Sequence, residues 1–400
     1  MYLVGKTGSG KSTLIEHLVV QDLVAGRGVA LLDPHGDLVR AVLPSVPAER
    51  TNEVLLMAPD DREFPVSFNI FRRGRELHDD PALLTGQLLS LMKKLWSESW
   101  GPRLEHVLRN ALLAVASDQR ATFLFLYRFL TEDKLRGQVV ERLTDPVVRA
   151  FWSTEFASYS RALQAEALSP VLNKLGAFVA NPLLRNLLGQ ERSRVDILSL
   201  IQGKGILLAD LATGRIGEDA SHLLGGLLVT ALQLAAMERP AGGPPVYVYL
   251  DEFQHFTTDA LSTVLSEARK FGLALTLAHQ YLGQLPERIR DAIIGNVGTL
   301  LIFRVGGADA QTFAAELAPV FAENDLMSLP RGHLVARIMA HGEALTPFSA
   351  RTLPPKNGVA NDGRDNDKEN RIAAIVDQSR QRYTRPREEV EAAIAERFGA

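Results

Sequence analysis

A phosphate-binding loop is indicated by the segment Gly5-Lys6-Thr7-Gly8-Ser9-Gly10-Lys11-Ser12-Thr13. It follows the apolar run Tyr2-Leu3-Val4 and precedes Leu14-Ile15-Glu16-His17-Leu18, an order typical of a strand, a glycine-rich loop and a helix. The glycines let backbone N–H groups turn towards phosphate oxygens, and the helix directs the positive end of its dipole at the same charge. We expect Lys11 to contact the β- and γ-phosphates and Ser12 to bind Mg²⁺. The segment therefore predicts a nucleoside triphosphate site.

Two carboxylates follow the apolar run Val246-Tyr247-Val248-Tyr249-Leu250. At the end of such a strand, Asp251 and Glu252 would lie at the carboxyl edge of a parallel sheet, beside the phosphate loop. There Asp251 would hold Mg²⁺ opposite Ser12, and Glu252 would act as the general base for an attacking water. A second acid beside the metal-binding one favours hydrolysis over transfer to a bound acceptor.

Two further polar residues are candidates for contact with the phosphates. Gln280 follows another buried-type strand, which we expect beside the Asp251 strand, and its amide could contact both the γ-phosphate and the water as a sensor. Arg269 ends the preceding predicted helix on the opposite rim, so it is a candidate for the γ-phosphate of a neighbouring subunit. The alternatives are a buried amide bonded to the backbone for Gln280 and a cation at a helix C-terminus for Arg269.

The turn Asp33-Pro34-His35-Gly36-Asp37 follows the second predicted strand, again at the carboxyl edge. Asp33 or His35 could face the active site or a subunit boundary, and a simple helix-start turn is the alternative. His35 is not predicted to bind a metal, because no second His or acid has ligand spacing around it.

Strands and helices must alternate to position these residues. Buried-type strands are predicted at 28–33, 52–57, 205–210, 246–250, 273–278 and 299–304, and such alternation predicts an α/β fold with a doubly wound, mostly parallel sheet. Helical periodicity dominates from about Leu77 to Leu200. We expect the first part of the ATPase core at 1–76, an all-helical insertion at 77–197, the second part of the core at 198–352, and a flexible linker with a C-terminal helical tail at 353–400.

Composition excludes several classes of function. The chain has 400 residues, too many for one hydrophobic core, and a net charge of −3, which gives no bulk attraction to nucleic acid. The absence of cysteine excludes disulfides, thiolate zinc sites and cysteine nucleophiles. The longest apolar stretch, Leu223 to Met237, is interrupted by Thr230 and Gln233 and is expected to be too short to span a bilayer.

These motifs, in this order, closely resemble the HerA/FtsK superfamily of DNA-pumping ATPases, and most of all the type IV secretion coupling proteins. The resemblance covers about residues 1–352 and rests on Gly5 to Thr13, Asp33 to Asp37, Leu250 to Phe253, Glu267 to Gly272, Ala278 to Gln280 and Asn296 to Thr299. It implies a RecA-like core and ATP with Mg²⁺ as cofactors. It also implies a homo-oligomeric ring, usually a hexamer, that threads DNA through a central pore, and it supports the roles given above to the site residues.

The same resemblance implies relaxase and secretion-channel components as partners, and a cytoplasmic location, with the cytoplasmic face of the inner membrane as the finer alternative. The sequence contains neither the N-terminal membrane helices of coupling proteins nor the N-terminal barrel of HerA proteins. We therefore expect any membrane contact to come through a segment outside this chain. Single- and double-stranded DNA stay open as the track.

Three alternatives to a coupling ATPase differ in what they would do with the nucleotide. One is a HerA-like DNA-processing ATPase, and another is a nucleotide-controlled switch or scaffold that does not pump DNA. A P-loop kinase is the third, but the helical insertion is far larger than a kinase lid. DNA-stimulated ATP turnover would separate a motor from the switch and the kinase.

Overall fold

The computed structural model describes residues 1–73, 76–77, 80–239, 242–256, 265, 270–340, 342–354 and 365–399. Its strands are β1 Tyr2–Val4, β2 Gly28–Asp33, β3 Val54–Met57, β4 Arg72–Arg73, β5 Glu76–Leu77, β6 Ile206–Asp210, β7 Val246–Leu250, β8 Leu273–His279, β9 Leu300–Ile302, β10 His333–Arg337, β11 Met339–Ala340, β12 Glu343–Ala344 and β13 Phe348–Arg351. Four of them form two small hairpins, β4–β5 and β11–β12, and the rest form one sheet.

The helices alternate with these strands in the first and last parts of the chain and follow one another in the middle. They are α1 Lys11–Val24, α2 Asp37–Val42, α3 Pro81–Leu95, α4 Pro102–Ala116, α5 Phe123–Thr131, α6 Asp133–Arg142, α7 Pro146–Ala150, α8 Phe156–Ser158, α9 Arg161–Ala180, α10 Pro182–Leu188, α11 Ile197–Gln202, α12 Thr213–Ile216, α13 Glu218–Glu238, α14 Glu287–Asn296, α15 Gly307–Leu317, α16 Glu323–Met327, α17 Asp365–Tyr383 and α18 Arg387–Gly399. A π-helical turn, Phe151–Glu155, joins α7 to α8, and short 3₁₀ turns occur at Leu43–Ser45, Ala48–Glu53, Ser97–Ser99, Phe253–His255 and Leu282–Gln284.

The large sheet has nine strands in the order β13-β10-β9-β1-β8-β7-β2-β6-β3. The strands from β9 to β3 are parallel, while β10 and β13 are antiparallel at one edge. All residues of β1, β2 and β6 are buried. Strands that are buried on both faces have continuous apolar sequences, which is why they could be predicted from the sequence. The predicted α/β class with a mostly parallel sheet is confirmed.

The chain forms two compact units. The first comprises 1–57, 199–212 and 235–379, and contains the nine-stranded sheet. In its core, Ile15, Val19 and Leu23 of α1 lie in one buried apolar cluster with Leu31 of β2. Spacings of four residues place these α1 side chains on one helix face, so the phosphate loop before α1 is anchored by that cluster.

The second unit comprises 58–198, 213–234 and 380–400, and is almost entirely helical. An aromatic cluster contributes to its core: the Trp152 ring lies edge-on to Phe129 and to Phe156, at 4.9 Å between centroids in both cases. Such edge-to-face pairs stabilise a fold by roughly 0.5–1.5 kcal/mol beyond their buried area.

Helix α13 includes the apolar stretch singled out in the sequence. Among the described helices it is the one long and apolar enough to cross a membrane by length and composition, and 89% of its most apolar window is buried in the protein. Burial of this kind is usual for a core helix.

The predicted domain boundaries, 1–76, 77–197, 198–352 and 353–400, stay a prediction. Packing groups several segments differently. Residues 58–76 and 213–234 belong to the helical unit, and residues 353–379 belong to the first unit. Residues 380–400, which we expected to form a tail, also belong to the helical unit. This last difference has a clear physical cause, because Val390 and Ile394 of α18 are buried against Leu124.

Candidate active site

Sheet order brings the predicted site residues to one edge. Strand β1, which leads into the phosphate loop, pairs with β8, with Val4 opposite His279. Strand β8 pairs with β7, which ends before Asp251, and β7 pairs with β2, with Leu32 opposite Leu250. Because all four strands are parallel, the loops that follow them leave at the same carboxyl edge.

The phosphate loop is held by backbone hydrogen bonds on both sides. Lys6 N donates to Arg304 O at 2.8 Å, and Gly332 N donates to Ser9 O at 2.8 Å. Gly10 precedes α1 with φ +118°, a conformation that residues with a side chain rarely adopt. The loop thus has the backbone shape of an anion-binding site at the N-terminus of a helix.

Lys11 lies inside this loop. Its Nζ donates to Gly5 O at 2.6 Å, and the residue is only 7% exposed. Burial lowers the pKa of Lys11, while the charges of Asp251 and Glu252 act in the opposite direction. Among the described residues, its hydrogen-bond acceptors are the loop carbonyls of Gly5 and Lys6, so no carboxylate occupies its donors, which suits it to phosphate oxygens.

Ser12 and Asp251 face each other, with Ser12 Oγ donating to Asp251 Oδ2 at 3.5 Å. Asp251 is 6% exposed, and its pKa is raised to about 6 by burial and then by the neighbouring charges of Asp33 and Glu252. A cation here would offset that crowding of negative charge. One hydroxyl and one carboxylate fit Mg²⁺, which takes its other ligands from phosphate and water. The described part of the chain has no cluster of three or more His, Asp or Glu side chains arranged for a metal ion.

Three side-chain nitrogen atoms surround the Glu252 carboxylate. Its carboxylate accepts from Gln280 Nε2 at 2.8 Å, lies 3.1 Å from His35 Nε2 and lies 3.4 Å from His255 Nε2. The bond to His255, followed by those to Gln280 and His35, lowers the pKa of Glu252 to about 2. The residue also has φ +43° and ψ +49°, a strained backbone for a side chain of this size. Glu252 is therefore ionised and fixed in direction.

The turn after β2 is organised by two acids, Asp33 at the end of β2 and Asp210 at the end of the neighbouring strand β6. Asp33 accepts hydrogen bonds from Leu38 N at 2.7 Å and His35 N at 2.8 Å, so it caps α2 while it orients the histidine. Asp210 at the end of β6 accepts from Arg40 at 2.9 Å. A Cβ atom at Gly36 would lie 1.9 Å from Asp210 Oδ1, and Gly36 has φ +83°. Glycine is required at this position.

A family model described as the type IV secretion-system coupling protein DNA-binding domain matches residues 1–332. The chain belongs to this family. The resemblance predicted from the motifs is thereby confirmed. A comparison with curated proteins finds no match.

Several solved structures resemble the chain in fold. The unbound conjugative coupling protein TrwBdeltaN70 gives a TM-score of 0.61 at 15% identity, over 88% of this chain and 84% of that one. The same values hold for TrwB in complex with ADP and Mg²⁺. VirB4 of Thermoanaerobacter pseudethanolicus gives 0.58 at 14% identity, over 89% of this chain and 90% of that one. At these identities the likeness establishes the shared fold.

In this member of the coupling protein family, the structure brings together Lys11, Ser12, Asp251, Glu252 and Gln280. Arg269 lies outside the described residues, and so does Glu267. Two site residues were missed by sequence reasoning, His255 and Asp210. His255 comes three residues after Glu252, so its proximity could have been noticed. Asp210 could have been recognised as an acid that ends a buried strand, as Asp33 does.

Proposed function

We propose that this chain is an ATPase that uses hydrolysis to move DNA, as the coupling ATPase of a type IV secretion or conjugative transfer system. The observation that carries the proposal is the position of Glu252. Its carboxylate is held ionised by three side-chain donors at the sheet edge that also carries Lys11, Ser12 and Asp251. A family relative, TrwB, has been solved with ADP and Mg²⁺ and with a non-hydrolysable ATP analogue, which supports ATP and Mg²⁺ as the cofactors.

Each residue of the site would have a separate role in hydrolysis. The N–H groups of the loop and Lys11 would bind the phosphates, and Lys11 would leave its contact with Gly5 O to do so. Ser12 and Asp251 would hold Mg²⁺, which supplies charge neutralisation at the β- and γ-phosphates when bound. Glu252 would accept a hydrogen bond from the attacking water and direct it. Gln280 would keep the Glu252 carboxylate in place through its hydrogen bond and would contact the γ-phosphate as a sensor.

A ring of subunits, a hexamer, is part of the proposal. Next to the phosphate loop, a cavity of about 540 Å³ is lined by Lys6, Thr7, Gln280, Tyr281 and Gly306 to Asp309. Asp309 is buried there, so the cavity could accept a cationic side chain from a neighbouring subunit. Arg269 of that neighbour is the candidate we propose for contact with the γ-phosphate. A cytoplasmic location at the inner membrane, with relaxase and secretion-channel components as partners, completes the proposal.

Steady-state phosphate release tests the proposal. The oligomeric protein would be assayed alone, with single-stranded DNA and with double-stranded DNA, at a low and a higher salt concentration. We expect DNA to raise the rate, and the effect to weaken steeply with salt because phosphate contacts release counterions. Glu252→Gln, which keeps the shape and removes the base, serves as the inactive control. A rate that no DNA changes at either salt concentration would instead favour a nucleotide-controlled switch.

A further inference from the structure

Gln280 lies in a loop that is held on both sides. On its N-terminal side, His279 ends β8, which is paired with β1 and with β7 in the sheet. On its C-terminal side, Leu282 N donates to Asp309 Oδ2 at 3.1 Å, across 27 positions of the chain. Gln280 and Tyr281 lie between these two points. The contact of Leu282 with Asp309 therefore limits where the Gln280 side chain can lie.

Asp309 belongs to a helix that is packed against the strand of the phosphate loop. It is in the first turn of α15, and Ala310, Phe313 and Leu317 of the same helix are fully buried. The Phe313 ring lies 6.4 Å from the ring of Tyr2 in β1, measured between centroids. Asp309 and Phe313 are one helical turn apart, so the packing of α15 on β1 also fixes the position of the carboxylate.

The Asp309 carboxylate is buried, and it forms no ion pair with another described residue. Asp309 is 7% exposed, and burial raises its pKa although the hydrogen bond from Leu282 N acts in the opposite direction. A buried carboxylate costs free energy unless hydrogen bonds compensate it. An acid that only complemented the dipole of α15 could do so from an exposed position. The burial therefore indicates that the contact with Leu282 has a role of its own.

The turn that follows Gln280 has other contacts, but these do not set its direction. Leu282 and Leu285 are buried, and apolar burial is not directional. Leu285 N donates to Leu282 O at 3.0 Å, and Gln284 N donates to Tyr281 O at 3.1 Å. Both of these hydrogen bonds lie within the turn, so they determine its shape. The hydrogen bond to Asp309 instead determines where the turn lies relative to α15.

A displacement of this turn would reach the general base through one side chain. Gln280 Nε2 donates to Glu252 Oε1 at 2.8 Å, the shortest of the three contacts around this carboxylate. A general base must lie within hydrogen-bond distance of the proton that it accepts, and a misplacement of ~1 Å can cost about 10²-fold in rate. A displaced Gln280 would therefore reduce turnover while the phosphate loop stays intact.

We propose that Asp309 is a positioning residue for hydrolysis, which holds Gln280, and through it Glu252, by accepting a hydrogen bond from Leu282 N. This inference rests on the proposed function, because it concerns the same ATPase site. In it, Asp309 contacts neither the nucleotide nor the attacking water. Loss of its hydrogen bond should therefore lower kcat and leave the KM for ATP nearly unchanged.

A double-mutant cycle, measured by steady-state kinetics on the oligomeric protein, tests this role. Asp309→Ala should lower kcat by about tenfold and change the KM for ATP by less than about twofold. In a Gln280→Ala background, the same substitution should lower kcat further by less than about twofold, because both residues act through one contact. An equal effect of Asp309→Ala in the two backgrounds would overturn the proposal, because Asp309 would then not act through Gln280.

Two further variants separate the hydrogen bond from the space that the side chain fills. Asp309→Asn keeps an acceptor oxygen and should keep kcat within about threefold of the parent value. Asp309→Leu fills a similar space without an acceptor, so it should have the same effect as Asp309→Ala even if the latter variant is too unstable to assay. A kcat in Asp309→Asn as low as in Asp309→Leu would overturn the proposal.

The matched control is Asp325→Ala. Asp325 also accepts from a backbone N–H at the start of a helix, that of Ala322 at 2.8 Å, but it belongs to α16. Its replacement removes the same kind of contact from the same unit without touching the turn after Gln280. We expect kcat to change by less than about twofold in this control. A loss equal to that in Asp309→Ala would overturn the proposal, because the effect would then be a general loss of packing.

Hydrogen exchange of the nucleotide-free chain tests the contact independently of ATP turnover. The Leu282 amide should exchange at least about tenfold faster in Asp309→Leu than in the parent, because its hydrogen bond is lost, and near the parent rate in Asp309→Asn. Unchanged exchange in Asp309→Leu would overturn the proposal even if kcat fell. A parent chain without ATP turnover would contradict the proposed function and with it the role of Asp309 in hydrolysis, whereas faster exchange would still show that Asp309 holds the turn.

Discussion

Gln280 donates a hydrogen bond to Glu252 at 2.8 Å, although the two residues follow different strands. The contact exists because β7 and β8 are parallel neighbours, with Leu250 opposite Leu277. Both strands end at the same edge, so polar side chains that follow them come into contact. The orientation of Glu252 therefore depends on a residue that follows the adjacent strand. A nucleotide that contacts Gln280 would thus change the position of the Glu252 carboxylate.

Replacement of Gln280 should reduce turnover without abolishing nucleotide binding. In Gln280→Ala, Glu252 loses its shortest side-chain donor, and a misdirected base commonly costs about 10- to 100-fold in kcat. Gln284→Ala is the matched control, because Gln284 Oε1 accepts from Tyr281 N in the following turn and, among the described residues, makes no hydrogen bond to Glu252. Steady-state kinetics at saturating ATP would measure both. An unchanged kcat in Gln280→Ala would show that Glu252 does not need this donor.

Two substitutions should separate binding from chemistry. Lys11→Ala removes the ammonium group inside the loop and should abolish nucleotide binding. Glu252→Gln should keep binding while it loses turnover by ~10²–10⁴, the usual effect of removing a general base. Binding of a fluorescent ATP analogue and phosphate release would be measured on both proteins. Near-normal turnover in Glu252→Gln would remove Glu252 from the mechanism.

Gly36→Ala should destabilise the first unit. The new Cβ would lie 1.9 Å from Asp210 Oδ1, at a backbone φ of +83°. Left-handed backbone and overpacking together should cost roughly 2–5 kcal/mol of unfolding free energy. Gly295→Ala in α14 is the control, because among the described residues no atom outside its own helical turn lies within 4 Å of its Cβ position. Urea unfolding should show a large loss for the first variant and a change within ~1 kcal/mol for the second. Equal stability of the two variants would contradict the turn geometry.

Acid should destabilise the protein partly through His279. This fully buried histidine bonds Tyr2, and burial, with a smaller effect of the Lys11 charge, lowers its pKa to about 3. In the unfolded chain His279 takes up a proton near pH 6.5, whereas in the folded chain it does so only near pH 3. Protonation of the unfolded chain therefore lowers the free energy of unfolding as the pH falls from 6.5 towards 3. Between pH 7 and 5 the loss should be about 2 kcal/mol.

His279→Gln isolates this contribution, because glutamine does not titrate and every other group is shared with the parent chain. Urea unfolding at pH 7 and pH 5 would be compared for the two proteins. The parent should lose more stability than the variant over this interval. The same loss in both would show that His279 is not the group responsible.

The strands were predictable from the sequence because buried parallel strands leave a strong signal. Residues 246–250 and 28–33 were predicted at the limits that the structure has, since both are continuous apolar runs between polar turns. Of the sheet order, only the pairing of β7 with β8 was predicted, and the structure has it. The rest was not predictable in this way, because nothing in the local sequence indicates that β1 lies between β8 and β9. The contact of His35 with Glu252, across 217 positions, is a consequence of that order.

The packing of the C-terminal segment could not be predicted from the sequence. Helix α18 is rich in charge and was predicted as part of a tail, yet Val390 and Ile394 share one face and pack against Leu124. Their spacing of four was visible in the sequence, but the partner surface was not.

Movement along DNA is the central claim, and displacement of a bound obstacle measures it most directly. Two tracks would be used: a long duplex that carries a fluorescent triplex-forming strand, and a biotinylated single strand capped with streptavidin. We predict ATP-dependent release of the obstacle from at least one track, with no release by Lys11→Ala or Glu252→Gln. ATP hydrolysis that is stimulated by DNA but releases neither obstacle would contradict translocation.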